Sequence, residues 1–166
     1  MRTTEDILTE QSVCCALLLK SPRVGPKAKP ESLPPFVFME HISPEGIVVC
    51  SQVKEKIELF EGLAKRCGDL VAEAESGEVL LGLSEREAAG NTAVGHGVAM
   101  PHATVSGLMQ THLFVEVLKN PLAYQAPDGG AVDIIFCTVG PAEHRHNHLL
   151  LISTISRLIL ETTLLT

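Results

Sequence analysis

The chain has 166 residues, of which 45% are hydrophobic and 20% are charged, and its formal net charge is -7. These values fit one globular domain with a substantial core, and the lack of clustered Lys and Arg argues against a nucleic-acid binder. The five cysteines have no Cys-x-x-Cys spacing, so neither a disulfide framework nor a structural zinc site is indicated. No apolar run reaches the length of a membrane span. We therefore expect protein partners, a reducing cytoplasm and no direct membrane insertion.

The first 35 residues differ in composition from the remainder. The stretch from Thr3 to Lys20 predicts a helix with a broad apolar side. Residues 21–35 hold five prolines among Lys and Ser, a composition that resists regular structure and is typical of a linker. A Pro-rich ligand for a partner domain is the alternative interpretation. The predicted organisation is a helical extension and linker over residues 1–35, followed by a domain over residues 36–166.

The first part of that domain predicts a strand and two helices. A short strand is expected at Gly46–Cys50, after which Ser51 is a natural N-cap for an amphipathic helix that Gly68 would end. A second helix is expected from Gly77 to Glu87. Arg86 would then lie near the C-terminal end of this helix.

A second strand ends in a proline and a histidine. Gly90-Asn91-Thr92 predicts a turn, and Val98–Met100 suits a buried strand. Because Pro101 cannot donate to a sheet ladder, we expect pairing to stop there and His102 to emerge at a strand edge. A loop over 103–109 would follow.

The last third predicts two long strands and a helix. A strand is expected at His112–Leu118 and is stopped by Asn120-Pro121. The run Val132–Val139 is apolar on both faces, as expected for a central strand covered by helices on each side. Asn147 would cap a final helix that buries His148. This succession of elements is typical of the α/β class.

The segment from Ser84 to Ala103 joins an Arg-Glu pair, a Gly-Asn-Thr turn and a Gly-x-Ala-x-Pro-His core. It resembles the active-site signature of fructose/mannitol-type (type 2) Enzyme IIA domains of the bacterial phosphotransferase system (PTS), a family that includes nitrogen-regulatory IIA proteins. The resemblance implies the mannitol-type IIA fold, a mixed β-sheet flanked by helices on both faces. Family members usually continue beyond the position of Thr166, so one interpretation is a domain shortened at its C terminus.

The resemblance also implies roles for three residues. His102 would be the phosphoacceptor, Arg86 would line the phosphate site, and His148 matches the second active-site histidine. The chain would then be an enzyme-like histidine phosphocarrier that needs no cofactor. Its implied donor is HPr or a nitrogen-system homologue, and its implied acceptor is a IIB domain or a set of regulatory targets. Sugar transport and nitrogen regulation both stay open.

Elementary chemistry suits these roles. A neutral imidazole is available as a nucleophile at cytosolic pH, and its other nitrogen needs an acceptor, for which a backbone carbonyl is expected. Arg86 could bind phosphate oxygens bidentately, which a lysine could not. A helix N-terminus at His148 favours an anion, and Thr92 could add one hydroxyl donor to the phosphate pocket.

Each role has an alternative. Arg86 could be a surface residue paired with Glu87, and His148 could be a helix-cap histidine. The run His144–His148 could hold a metal ion, but no ligand-spaced carboxylate or thiol completes the set, so no metal is expected. A metal-binding or non-catalytic interaction module that keeps the fold is the alternative function.

Overall fold

The computed structural model describes residues 41–142 and 145–163. The predicted N-terminal helix and the Pro-rich linker lie outside these described residues. Within them, six strands and three helices follow one another in this order: β1 (Ile42–Ser51), α1 (Lys56–Leu70), α2 (Ser76–Ala89), β2 (Ala93–Gly95), β3 (Val98–Ala99), β4 (His102–Val105), β5 (His112–Leu122), β6 (Val132–Pro141) and α3 (Arg145–Thr163).

The strands form one mixed sheet in the order β1-β5-β6-β3-β2, and β4 also pairs with β6. Strand β1 runs parallel to β5, and both β3 and β4 run parallel to β6. The pairs β5–β6 and β2–β3 are antiparallel. The expected α/β fold with a mixed sheet is confirmed, and the apolar strand β6 has the central place predicted for it.

Helices cover both faces of this sheet. On one face Phe114 and Cys137 join a buried cluster with Leu59 of α1 and Leu83 of α2. On the other face, helix α3 contacts the sheet through two hydrogen bonds, His148 to Thr138 and Ser156 to Met100. Because successive side chains of a strand point to opposite faces, the continuous apolar run of β6 serves two hydrophobic layers.

Strand pairing does not stop at Pro101, which corrects the expectation of a loop over 103–109. Residue pairs Ala99–Ile135 and His102–Thr138 keep one constant register along β6. Pro101 removes one ladder donor, but its carbonyl still accepts the Thr138 N–H at 3.1 Å. His102 is therefore the first residue of a paired strand, so the sheet fixes its backbone.

The predicted cap of the first helix is wrong. Ser51 is the last residue of β1 and pairs with Leu118. Helix α1 begins at Lys56 without a side-chain cap and continues past Gly68 to Leu70. A short polar residue can cap a helix only where the strand before it has ended, and here the ladder with β5 carries β1 further than its apolar run suggests.

Two further boundaries differ in the second half. Strand β5 continues through Asn120-Pro121 to Leu122, with a shift of register before Leu122 pairs with Val132. Helix α3 begins at Arg145, so Asn147 lies inside its first turn and is not the cap. Helix α2 matches its prediction closely and holds Arg86 in its last turn.

Candidate functional site

A cavity of about 450 Å³ opens beside β4. Its walls come from α2, β4 and α3, and the lining residues are Gly82, Glu85, Arg86, His102, Ala103, Thr104, His148 and Leu149. The fold thus brings together three residues that stand far apart in the sequence, the two predicted histidines and the predicted arginine.

Hydrogen bonds assign different roles to the two ring nitrogens of His102. Nδ1 lies 3.0 Å from the Met100 carbonyl oxygen, and since a carbonyl only accepts, this nitrogen carries the proton. Nε2 accepts from Nε of Arg86 at 2.9 Å. Burial lowers the pKa of His102 below its ordinary value and Arg86 acts in the same direction, while the Met100 hydrogen bond and Glu87 oppose them. The ring is therefore neutral at pH 7, with its lone pair on Nε2.

Arg86 binds the site and the adjacent turn together. While Nε donates to His102, Nη1 donates to the Gly90 carbonyl at 2.7 Å. The neighbouring Glu87 binds Lys56 instead, with Nζ and Oε1 2.6 Å apart. The alternative in which Arg86 pairs with Glu87 on the surface is therefore wrong.

A glycine lets helix α2 approach the histidine strand closely. A Cβ at Gly82 would lie 3.0 Å from the Cβ of Ala103, which is tighter than ordinary van der Waals contact. Gly82 stands one helical turn before Arg86 on the same side of α2. The missing side chain allows the helix to bring the guanidinium within reach of His102.

His148 lies under the first turn of α3, against β6. The residue is 2% exposed, its Nε2 lies 2.9 Å from Oγ1 of Thr138, and its ring centroid is 5.5 Å from that of His102. Burial lowers the pKa of His148 to about 4, and His102 adds to this shift. Its Nδ1 has no hydrogen-bond partner among the described residues. The second imidazole is therefore neutral, buried and incompletely bonded beside the first.

Gly140 leaves the space that this ring occupies. A Cβ there would lie 2.8 Å from Nδ1 of His148 and 2.6 Å from Oγ1 of Thr111. Glycine inside a strand often marks such a close approach. Strand β6 continues through Gly140 to Pro141, so this glycine lies inside the strand.

We expect Gly140→Ala to lower the free energy of unfolding by about 1–3 kcal/mol, because the methyl group overlaps two buried side chains. Urea unfolding measures this change. The matched control is Gly62→Ala in α1, where a Cβ meets nothing within 4 Å and alanine is favoured in a helix by about 0.5–1 kcal/mol. Equal effects of the two substitutions would contradict the packing described for His148.

The free energy of unfolding should also depend on pH through His148. Its folded pKa of about 4 lies below the ordinary 6.5, so the unfolded chain binds the proton more readily. The contribution of His148 to the free energy of unfolding is therefore highest above pH 6.5 and falls by about 3 kcal/mol as the pH drops to 4. Urea unfolding at several pH values should show this loss in the parent and a clearly smaller one in His148→Gln. Parallel curves would contradict a buried neutral ring.

Thr92 does not have the position predicted for it. It is 5% exposed and does not line the cavity. Its hydroxyl donates to Oε2 of Glu87 at 2.5 Å and lies 3.0 Å from the Tyr124 hydroxyl. The single hydroxyl proton is therefore directed at Glu87, and the structure does not bring Thr92 to the cavity beside His102.

The described ranges contain neither a metal-binding cluster nor a membrane-spanning helix. Residues 41–142 and 145–163 contain no group of three or more His, Cys, Asp or Glu that could hold a metal ion. The side chains of His144 and His146 lie outside the described part of the chain. No helix of the described part is long and apolar enough to cross a membrane.

A sequence model of the family described as "Phosphoenolpyruvate-dependent sugar phosphotransferase system, EIIA 2" matches residues 40–165. The chain belongs to this EIIA family. The match spans every described element and confirms the resemblance carried by the segment from Ser84 to Ala103. Among curated relatives, the nitrogen regulatory protein of Bradyrhizobium diazoefficiens is 32% identical over 120 residues, which are 71% of this chain and 76% of the relative.

Solved structures agree with this assignment. The nitrogen regulatory protein IIA-Ntr from Neisseria meningitidis superposes with a TM-score of 0.67 at 29% identity, covering 70% of this chain and 80% of that one. Enzyme IIAMTL, in its complex with phosphorylated enzyme IIBMTL from Escherichia coli, gives 0.57 at 15% identity, with 68% and 77% covered. The second likeness shows the fold alone. An EIIA chain with such relatives is a phosphotransferase-system component with a phosphocarrier or regulatory role.

Proposed function

We propose that this EIIA chain accepts a phosphoryl group on Nε2 of His102 from the phosphohistidine of an HPr-like protein. One observation carries the proposal: the Met100 carbonyl holds the proton on Nδ1, which leaves Nε2 as the nucleophile beside the Arg86 guanidinium. Nucleophilic attack needs a neutral ring, and the lowered pKa of His102 keeps it neutral at pH 7.

The step is a direct transfer between two imidazoles. The Nε2 lone pair of His102 attacks phosphorus, a new N–P bond forms, and the donor's N–P bond breaks with its electron pair returning to the donor nitrogen. The proton on Nδ1 stays in place, where the Met100 carbonyl stabilises the positive charge that the ring acquires. Because Arg86 occupies Nε2 before transfer, its guanidinium must move from the lone pair to the phosphoryl oxygens.

The chain must offset the charge that arrives. A phosphoryl group adds about two negative charges to a protein whose formal net charge is already -7. Arg86 offers a permanent cation, and the first turn of α3 at His148 offers a helix N-terminus, a common environment for bound phosphate. Both line the same cavity as His102.

We propose a regulatory use of the phosphorylated state ahead of sugar transport. The curated relative from Bradyrhizobium and the solved structure from Neisseria are both named nitrogen regulatory proteins. Transfer to a IIB domain is the second outlet, favoured by the mannitol-type fold that the chain shares with enzyme IIAMTL.

Incubation with phosphoenolpyruvate, Enzyme I and HPr tests the proposal. We expect the chain to acquire one acid-labile, alkali-stable phosphoryl group, and ³¹P NMR should show it on Nε2. Absence of phosphorylation, or a phosphoryl group on Nδ1, would overturn the proposal. Affinity capture with the phosphorylated and unmodified forms then tests the regulatory use, and metal analysis of the purified chain tests the metal-binding alternative.

A further inference from the structure

A half-buried polar network adjoins Arg86, and its members do not line the cavity. Its centre is Glu87, the next residue of α2, whose side chain is 11% exposed. Oε1 accepts from Nζ of Lys56 at 2.6 Å. Oε2 accepts from both the backbone N–H and the hydroxyl of Thr92, at 3.1 and 2.5 Å. One carboxylate therefore connects the start of α1, the end of α2 and the turn that follows α2.

Tyr124 and Asn91 complete the network. Tyr124 is fully buried, its hydroxyl lies 3.0 Å from Oγ1 of Thr92, and Nζ of Lys56 lies 4.0 Å from its ring centroid. The Tyr124 carbonyl accepts from Lys56 at 3.2 Å and from Nδ2 of Asn91 at 3.0 Å. Oδ1 of Asn91 accepts from the Ala93 N–H at 2.7 Å. The Gly90–Thr92 turn is thus bonded to Glu87 of α2 and to Tyr124, and Lys56 of α1 bonds both of these residues.

This turn supports both functional side chains. The Gly90 carbonyl accepts from Nη1 of Arg86 at 2.7 Å. The Thr92 carbonyl accepts from the Met100 N–H at 2.9 Å, and the Met100 carbonyl in turn binds Nδ1 of His102. A displacement of the turn would reach the guanidinium through one hydrogen bond and the imidazole through two.

We propose that Glu87 is a positioning residue for phosphoryl transfer: its carboxylate fixes the Gly90–Thr92 turn and thereby the Arg86–His102 contact. The proposal rests on the proposed function of His102. Glu87 has no place in the cavity lining and acts only through its neighbours. Both of its oxygens are occupied by donors, so Glu87→Gln would direct a new N–H₂ group at either Lys56 or Thr92.

A purely electrostatic role predicts a different result. The negative charge of Glu87 raises the pKa of His102. If charge were its only contribution, Glu87→Gln would lower that pKa and leave the hydrogen bond between Arg86 and His102 intact. The positioning role predicts instead that this hydrogen bond is lost.

The experiment compares Glu87→Gln with Glu116→Gln in the full chain. Glu116 is the matched control, because it is a buried carboxylate, its side chain is 5% exposed, and it pairs with Arg66 at 3.2 Å without a bond to the turn. Both variants should lower the free energy of unfolding. The single-turnover rate of transfer from phosphorylated HPr should fall about 10–100-fold in Glu87→Gln and less than about twofold in Glu116→Gln. Equal rate losses would reduce Glu87 to a structural ion pair.

A double-mutant cycle tests whether Glu87 acts through Arg86. The rate of the Arg86→Ala, Glu87→Gln double variant should lie within about twofold of Arg86→Ala alone, since a guanidinium that is absent cannot be misplaced. If the rate losses of the two single variants multiplied in the double variant, the proposal would be overturned. Thr92→Val gives a second entry to the network if Glu87→Gln does not fold; it should slow transfer, and Thr92→Ser, which keeps the hydroxyl, should restore the rate.

NMR of the unphosphorylated chain separates this proposal from the proposed function. The Arg86 Nε–H signal and the ¹⁵N shifts of His102 should change in Glu87→Gln and stay unchanged in Glu116→Gln. If the parent accepts no phosphoryl group, the proposed function fails, while these signals still decide whether Glu87 holds the pair together. Unchanged signals in Glu87→Gln would overturn the positioning role by themselves.

Discussion

His102→Ala should abolish phosphoryl acceptance, with a loss of more than about 10³-fold in the labelling rate, because covalent catalysis without its nucleophile has no alternative route. Nε2 of His102 is the ring nitrogen that contacts the Arg86 guanidinium at the cavity. Alanine fits the strand, since β4 pairs with β6 through its backbone. Labelling with ³²P from phosphoenolpyruvate, Enzyme I and HPr measures the loss, and circular dichroism checks the fold.

His96→Asn is the matched control for that experiment. His96 is exposed in the turn between β2 and β3 and has a φ of 55°, a region that asparagine tolerates better than most residues. It also stands close to His102 in the sequence, so the pair tests position rather than histidine content. Full labelling of His96→Asn is expected. Label retained by His102→Ala would exclude His102 as the acceptor and, with it, the proposed mechanism.

Local pattern was sufficient for much of this fold. The apolar run of β6 and the amphipathic period of α1 come from short-range chemistry and each corresponds to an element of the structure, and the turn signal at Gly90-Asn91-Thr92 falls in the connection between α2 and β2. The prediction that strand pairing stops at Pro101 was wrong, because pairing depends on the neighbouring strand. Strand β6 continues past Pro101 and supplies partners on its far side, which no local pattern contains.

The site shows the same division. Arg86, His102 and His148 carry chemistry that the sequence displays, and the fold brings all three to one cavity. Two glycines allow this arrangement, Gly82 and Gly140, and the sequence alone does not indicate the close contacts that they make. The spacing of residues in the sequence does not indicate which side chains will pack closely against a glycine.

The sequence suggested wrong roles for Thr92 and Glu87. A hydroxyl near a phosphate signature suggests a phosphate ligand, and a glutamate beside an arginine suggests a surface ion pair. In the structure the Thr92 hydroxyl donates to the Glu87 carboxylate, and the carboxylate also accepts from the backbone N–H of Thr92 in the turn. Both interpretations failed for one reason: Lys56 and Tyr124, which complete the network, are remote in sequence.

Arg86→Ala should slow phosphoryl transfer by about 10²–10³-fold, the usual effect of removing one preorganised donor from a developing anion. Arg86→Lys should recover only part of this loss. An ammonium is a single point charge and cannot keep the contacts to His102 and to the Gly90 carbonyl at once, as Nε and Nη1 do. Single-turnover transfer from phosphorylated HPr, followed by quenched flow, measures both variants.

Arg86→Ala should also raise the pKa of His102, because the guanidinium acts together with burial to lower this pKa. NMR titration of the ring in Arg86→Ala measures this shift without any transfer. Arg66→Lys is the control: Arg66 of α1 pairs with buried Glu116 of β5 and neither residue lines the cavity, so the variant should change the free energy of unfolding but neither the rate nor this pKa. A slow Arg86→Ala variant with an unchanged pKa would mean that Arg86 acts on the partner protein rather than on His102. An unchanged rate would mean that the cavity stabilises its anion through α3 alone.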